Sequence, residues 1–168
     1  VQPNRTAFDK NPIEVLLIKP IKNTCWETLV KPGKKIHIGD RLLFGEGRLE
    51  GTVLEKGEKG LRKIQLKYQG DFHSIIDQLG QVPLPPYINR PIENLDWSRY
   101  QTVYAKKRGS VAAPTAGLHF TPEIFFRLKE KQISSCKVTL HIGPGTFRPI
   151  SSQKVENHRL GKESFEIK

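Results

Sequence analysis

The sequence has only two cysteines, no methionine and no long apolar run. Cys25 and Cys136 are far apart, and they form neither a Cys-x-x-Cys pair nor a Cys/His cluster at metal-ligand spacing. This favours a reduced, cytosolic compartment and predicts no metal site. No stretch approaches the ~18 apolar residues that a membrane-spanning helix needs, and no signal-peptide pattern begins the chain. The sequence thus argues against a membrane protein, and it leaves open whether the chain is a processed or truncated piece.

Positive charge is what the sequence has in excess. It contains 28 lysines and arginines against 17 aspartates and glutamates, which gives a net charge of +11. Such an excess attracts phosphates over a long range and therefore predicts a polyanionic partner. A basic surface that is merely solvated is the alternative. With 36% hydrophobic and 27% charged residues, the chain is otherwise typical of a globular protein with a buried core.

Residues 12–70 are predicted to form a small antiparallel barrel, after a lead-in segment over residues 1–11. Short apolar or alternating runs follow one another closely: IEVLLI, TCWETLV, KKIHI, RLLF, RLEGTVLE and LRKIQLKY. Glycine-containing turns separate most of them. Many short strands with few residues between them are typical of a meander or a small β-barrel.

The pattern changes in residues 71–168, where helical spacing appears. Three helices are predicted, one from Asp71 to Gly80, one from Asn94 or Asp96 to Tyr104, and one from Thr121 to Lys131. Each begins at a residue that commonly caps a helix, and Gly80 suits a left-handed helix end. In the second helix, aromatic residues at spacings of three and four are predicted to face the core.

Two glycine-rich segments are predicted to meet at one edge of a sheet. Ser110–Ala113 is predicted to be a buried strand that precedes the loop PTAGLHF, and Cys136–Ile142 is predicted to be a strand that precedes GPGTF. A helix between them is long enough for a parallel crossover, and ligands bind outside the carboxyl ends of parallel strands. The two segments would then form adjacent walls of one pocket. Simple turn chemistry for the glycines, and a core position for His119, are the alternatives.

Three segments of the sequence resemble a known family. They are YAKKRGSVAAPTAGLHF (Tyr104–Phe120), VTLHIGPGTFRP (Val138–Pro149) and GQVPLPPYINRP (Gly80–Pro91). They closely resemble signature segments of the S-adenosylmethionine:tRNA ribosyltransferase-isomerases of queuosine biosynthesis, and the resemblance runs from about Asn11 to the end of the chain. It implies an α/β domain, incomplete in this chain, with an inserted antiparallel β-barrel. Family chains are longer at both ends.

The resemblance also implies an activity and its partners. Enzymes of that family use S-adenosylmethionine as a ribosyl donor. They transfer and isomerise its ribose onto 7-aminomethyl-7-deazaguanine at the wobble position of a tRNA, which gives epoxyqueuosine and releases adenine and methionine. The implied partners are S-adenosylmethionine as co-substrate and the precursor-bearing tRNA, with no prosthetic group, no metal and no membrane.

Roles for individual residues follow from this chemistry. The sulfonium of the donor acidifies its C5′ hydrogens, and departing adenine needs a proton. His119 and His141 are the candidates for the base and for the group that positions or protonates adenine, in either order. The predicted substrate-binding residues are Thr115, Gly117, Gly143, Gly145, Thr146, Arg148, His158 and Glu163. Arg148 suits the methionine carboxylate or a tRNA phosphate. Gly161 stands where the family usually has a second histidine.

The residues predicted to contact the tRNA backbone are Arg90, Arg99, Lys106, Lys107 and Arg108. Two other readings remain open. A non-catalytic module that binds tRNA by its shape and phosphates would explain the charge and the strands, but not the bare segment GSVAAPTAGLHF. The second alternative is an unrelated transferase that uses a nucleotide and has a similar sheet edge.

Overall fold

The computed structural model describes residues 13–85, 87–147, 150, 152–158, 161 and 163–167. The chain divides into two compact units, Val1–Gln81 and Val82–Lys168, which are described separately. Arg148 lies outside the described residues.

The first unit is built on a five-stranded antiparallel sheet. Its strands are β1 (Glu14–Lys22), β2 (Cys25–Lys31), β3 (Arg41–Phe44), β4 (Leu49–Lys56) and β5 (Leu61–Tyr68). They lie in the order β1-β2-β5-β4-β3, and every neighbouring pair is antiparallel. The predicted antiparallel strands are thus confirmed. The pairings between described residues leave β1 and β3 as edge strands, so they contain no closed barrel.

One predicted strand, KKIHI, is wrong. Gly33–Lys35 forms a 3-10 turn, and the N–H of His37 donates to the carboxylate of Asp40 at 2.8 Å instead of to a neighbouring strand. Ile36 is nevertheless fully buried. The apolar alternation in this segment therefore comes from one buried residue, Ile36, within a turn. The segment does not form a strand because the side chain of Asp40 accepts the backbone hydrogen bond that a neighbouring strand would otherwise accept.

The core of the first unit follows the alternation of its strands. In β4, Leu49 and Val53 are buried with Gly51 between them, and in β5 Ile64 and Leu66 point inward. A Cβ on Gly51 would lie 2.8 Å from Ile64 Cγ2, so the sheet interior has no room for a side chain there.

Helix α1 (Phe72–Leu79) belongs to this first unit, which therefore extends past residue 70. Ile75 is part of the core, and the carboxylate of Asp71 accepts the Ser74 N–H at 2.8 Å, as its predicted capping role requires. The left-handed end predicted at Gly80 is wrong, since φ is −74°. Glycine is needed there for another reason, because a Cβ would lie 2.5 Å from the Ile76 carbonyl oxygen.

Arg62 is a charged residue in the interior of the first unit. Its side chain points inward from β5 and is 3% exposed. The guanidinium donates hydrogen bonds to the carbonyl oxygens of Gly33, Ile36, Gly57 and Leu61. One arginine therefore ties together the two 3-10 turns that flank the sheet.

The second unit contains short elements joined by turns. Its elements are α2 (Asp96–Arg99), α3 (Pro122–Glu130), β6 (Thr139–His141), β7 (Ser164–Glu166), and 3-10 turns over Thr115–His119, Pro144–Phe147 and Val155–Asn157. Helix α3 confirms the predicted third helix, with the Thr121 hydroxyl accepting the Ile124 N–H and proline in the first turn. Strands β6 and β7 pair in an antiparallel sheet.

The predicted parallel pairing of Ser110–Ala113 with Cys136–Ile142 is wrong. Residues 110–113 are not a strand, and the strand in the second segment is only β6, whose partner is β7. The two segments do touch, because the Val111 N–H donates to the Ile142 carbonyl at 2.8 Å and the Ser110 hydroxyl bonds to the backbone of the same segment. Gly109 before the segment has φ +137° and Pro114 after it lacks an N–H, so a ladder cannot extend.

The predicted second helix is also much shorter than expected. Helix α2 ends at Arg99, and the Gln101 side chain accepts the Thr102 N–H at 3.0 Å, which occupies a donor that a longer helix would use. Trp97 is 48% exposed and Tyr104 is 43% exposed. The expectation that these aromatics fill a core is therefore wrong for this chain.

Candidate active-site cleft

An open cleft of about 360 Å³ lies in the second unit. Its described lining consists of Pro85, Tyr87, Tyr100, Ala113, Pro114, Thr115, Ala116, Ile142 and Thr146. Four of these residues belong to the segment GSVAAPTAGLHF, and two belong to TLHIGPGTF. The two glycine-rich segments therefore share one cleft, although a turn and an antiparallel strand bring them there.

The described lining carries hydroxyl groups and no charged side chain. Tyr87, Thr115 and Thr146 carry hydroxyls, Tyr100 has its hydroxyl oxygen buried, and the remaining residues are aliphatic or proline. Such a surface offers directional hydrogen bonds and flat apolar contacts, a combination that ligand sites commonly use.

The two candidate histidines border the cleft segments but are not among its described lining residues. His141 is half-buried at the end of β6, directly before Ile142. A Cβ on Gly109 would lie 2.6 Å from His141 Nδ1, so the imidazole packs on bare backbone. His119 is exposed at the end of the 3-10 turn that begins with Thr115. The structure therefore constrains His141 more than His119.

The three predicted pocket glycines have different surroundings. Gly117 is buried, and a Cβ there would lie 2.2 Å from the Tyr104 hydroxyl oxygen, so the turn packs tightly on that ring. The Gly143 N–H donates to the Glu163 carboxylate at 3.1 Å. Gly145 lies against Gly161, and a Cβ on Gly145 would lie 3.5 Å from the Gly161 Cα atom.

Glu163 and His158, the predicted substrate-binding residues nearest the end of the chain, make different contacts. Glu163 contacts the second glycine-rich segment through Gly143. His158 is half-buried after the 3-10 turn Val155–Asn157, and its N–H donates to the Val155 carbonyl at 3.0 Å.

Arg90 and Lys107, two of the predicted tRNA-contacting residues, form ion pairs with residues that the structure describes. Arg90 donates to both carboxylate oxygens of Asp96, at 2.7 and 2.8 Å. Lys107 pairs with Glu166 of β7. All five predicted residues, Arg90, Arg99, Lys106, Lys107 and Arg108, are exposed.

We expect the pair of Arg90 and Asp96 to make stability depend on pH in acid. Hydrogen bonds from Arg90, with a further bond from the Glu93 N–H, lower the pKa of Asp96 from 3.8 to about 2. Because the folded-state pKa is the lower one, this contribution is complete above the unfolded-state value and is lost as pH falls through about 2. Asp96→Asn should therefore lower the melting temperature at neutral pH, and the difference from the unsubstituted chain should shrink in acid.

Glu93→Gln is the matched control for this experiment. Glu93 also approaches Arg90, at 3.6 Å, but its side chain is 61% exposed whereas that of Asp96 is 6% exposed. An exposed pair contributes little, so Glu93→Gln should leave the melting temperature nearly unchanged. Equal effects of the two substitutions at every pH would contradict the role given to Asp96.

The sequence profile of a family described as queuosine biosynthesis protein matches residues 1–168, the whole chain. The chain belongs to this queuosine biosynthesis family. An S-adenosylmethionine:tRNA ribosyltransferase-isomerase from Halothermothrix orenii is 49% identical to it over 99% of the chain. The chain spans 50% of that relative's length.

A solved structure is also similar in sequence to this member of the queuosine biosynthesis family. It is the S-adenosylmethionine tRNA ribosyltransferase from Thermotoga maritima, which is 29% identical and matches 79% of this chain and 34% of its own, with a TM-score of 0.36. Among the described residues, His, Cys, Asp and Glu side chains form no cluster of three that would suit a metal ion. None of the described helices is long and apolar enough to cross a bilayer.

In this family member, the sequence prediction missed part of the cleft. Tyr100, Tyr87, Pro85 and Ile142 line it, but none was a predicted site residue. Tyr100 was assigned to the apolar face of a helix that ends at Arg99. The proline-rich run that precedes Tyr87 was the available signal, because a stiff, extended segment beside a bare loop is well suited to form a wall.

Proposed function

We propose that the chain carries part of the active site of an S-adenosylmethionine:tRNA ribosyltransferase-isomerase. The observation that carries the proposal is the relative of that name, 49% identical over almost the whole chain. The reaction transfers and isomerises the ribosyl group of S-adenosylmethionine onto 7-aminomethyl-7-deazaguanine at the tRNA wobble position. Epoxyqueuosine is formed, and adenine and methionine are released.

The cleft of the second unit supports the proposal. The segments that carry the family resemblance supply every described lining residue except Tyr100, and a concave surface of mixed hydroxyl and apolar groups suits a nucleoside-containing substrate. Glu163 accepts the Gly143 N–H and so can hold the second segment in place. Thr115 and Thr146 offer hydroxyls from the two opposite segments.

The proton transfers are proposed for His119 and His141. One imidazole takes a proton from C5′ of the donor, which the neighbouring sulfonium makes acidic, and the other positions adenine or gives it a proton as it leaves. His141 adjoins Ile142 of the cleft, and His119 is the last residue of the turn whose first residues line it. Each histidine therefore lies within a few residues of a cleft wall, and either assignment fits.

The positive charge supports a tRNA partner. The second unit carries fourteen of the 28 basic residues but only seven of the 17 acidic ones. We propose that the predicted residues Arg90, Arg99, Lys106, Lys107 and Arg108 contact tRNA phosphates. Arg90 and Lys107 would have to exchange a carboxylate for a phosphate, so Arg99 and Lys106 should contribute more to affinity.

Two broader features belong to the same proposal. The five-stranded sheet of the first unit would close into the barrel inserted in an α/β domain, as its antiparallel order and short turns suggest. The enzyme would act in the cytoplasm, in keeping with a tRNA substrate and two unpaired cysteines.

The experiment that tests the function is the release of adenine from S-adenosylmethionine, followed by chromatography. It is run with tRNA that carries 7-aminomethyl-7-deazaguanine, with unmodified tRNA and without tRNA. Both this chain and the longest natural polypeptide that contains its 168 residues are assayed. We expect release only with the precursor-bearing tRNA.

The outcomes separate the competing functions. Release without tRNA would favour a different nucleotide-using transferase. Binding of tRNA with no adenine released by either polypeptide would favour a non-catalytic RNA-binding module. Release by the longer polypeptide alone would show that residues outside this chain complete the site.

A further inference from the structure

Tyr100 is a cleft-lining residue that carries an unsatisfied polar group, and this group is closed to solvent. Its side chain lines the cleft, and its hydroxyl oxygen is buried without a hydrogen-bond partner among the described residues. Leaving a buried hydroxyl unpaired is destabilising, so a native protein pairs such a group with water, an ion or a ligand. A ligand that displaces the atoms covering this hydroxyl would supply the missing partner.

The rest of the lining indicates which kind of ligand fits. The tyrosine rings, Pro85, Pro114 and Ile142 offer flat or aliphatic surface, and Thr115 and Thr146 add neutral hydroxyls. No described lining residue is charged, so the carboxylate or ammonium of an amino acid, or a phosphate, would be desolvated here without a counter-charge. A neutral heteroaromatic base with its sugar meets no such penalty.

We propose that this cleft holds the adenosine portion of the ribosyl donor and that the Tyr100 hydroxyl hydrogen-bonds directly to it. This rests on the proposed function and assigns the charged methionine end of the donor to a place outside the described lining. The hydroxyl can donate to a ring nitrogen or accept from an amino or sugar hydroxyl group.

The protonation state of Tyr100 suits a hydrogen-bond donor. Burial raises the pKa of Tyr100, and the neighbouring Tyr87 raises it further. A raised pKa for a phenol favours the protonated form, so the donor stays available from neutral into alkaline pH.

The test removes this hydroxyl alone. In Tyr100→Phe, we expect the dissociation constant for adenosine, measured by calorimetry, to rise about tenfold, which is the size of one lost hydrogen bond in a desolvated site. The KM for S-adenosylmethionine should rise similarly. The melting temperature without ligand should stay the same or rise, because the hydroxyl has no described partner to lose. A purely structural tyrosine would show the reverse pattern.

Tyr68→Phe is the matched control. Tyr68 ends β5 in the first unit, where its ring packs on Phe72, so adenosine binding in the cleft of the second unit should be unchanged. Methionine is the second probe, and Tyr100→Phe should not alter its binding. All measurements use the longest natural polypeptide that contains this chain.

Failure of this inference can be distinguished from failure of the proposed function. If adenine is released normally and Tyr100→Phe changes neither the adenosine affinity nor the KM, the inference is overturned and the proposed function is retained. Adenosine binding that depends on Tyr100, with no adenine released from S-adenosylmethionine, would support the cleft assignment and reject the function. Adenosine that does not bind, or a loss of methionine binding in the variant, would overturn the inference.

Discussion

Replacing His141 with alanine should lower the rate of adenine release by about 100-fold or more, since a positioned acid or base commonly contributes a factor of this size. The imidazole is half-buried, lies against the backbone of Gly109 and directly precedes Ile142 of the cleft. Its loss would remove a proposed proton-transfer group without removing any of the predicted phosphate contacts. Affinity for the precursor-bearing tRNA should therefore change little.

Two further substitutions make the result interpretable. His73→Ala removes an exposed histidine from α1 of the first unit and should leave turnover unchanged. His119→Ala tests the other candidate, and a large loss of turnover in both candidate variants is expected if one group removes the C5′ proton and the other assists adenine. Thermal melting of each variant separates a lost catalytic group from a lost fold. A turnover of His141→Ala equal to that of the unsubstituted polypeptide would eliminate this residue from the proposed mechanism.

Replacing Arg62 with methionine should lower the free energy of unfolding of the first unit by roughly 3 kcal/mol, because several backbone carbonyls lose their donor at once. Methionine fills similar space but cannot donate to Gly33, Ile36, Gly57 or Leu61. Urea denaturation followed by tryptophan fluorescence measures the change. A Trp97→Phe background leaves Trp26 of β2 as the only tryptophan, so the signal reports the first unit.

Lys63→Met is the matched control for Arg62. Lys63 is the next residue of β5, where its side chain is 41% exposed and pairs with Glu55 at 2.6 Å. An exposed ion pair of this kind contributes little, so the control should keep nearly the same urea midpoint. Arg62→Lys should be intermediate, since an ammonium group has fewer donors and lacks the planar spread of a guanidinium. An unchanged midpoint in Arg62→Met would mean that water replaces the arginine, and the role given to it would be wrong.

The elements that the sequence predicted correctly are those whose determinants are local. Asp71 and Thr121 cap their helices through bonds to backbone N–H groups three residues later. The alternation in LRKIQLKY places Ile64 and Leu66 in the core because successive strand residues face opposite sides. The two glycine-rich segments were also recognisable, since they share a composition unlike that of the surrounding basic chain.

The predictions that proved wrong concern elements whose partners lie far away in the sequence. Ser110–Ala113 and β6 were expected to be parallel neighbours, but β7, more than twenty residues beyond β6, supplies the antiparallel partner. Periodicity reports which residues can face a core and does not report which strand lies alongside. Periodicity likewise could not show that Trp97 of α2 and Tyr104 are partly exposed.

By itself, the sequence determined the antiparallel strands of the first unit, two of the capped helices, the excess of positive charge and the segments that carry the family resemblance. Only the tertiary structure decided that Arg62 points inward to four carbonyls and that Tyr100 lines the cleft. The physical reason is the range of the interactions. A cap or an alternation is specified within a few residues, whereas a buried donor and a cleft wall are specified by contacts between segments that only folding brings together.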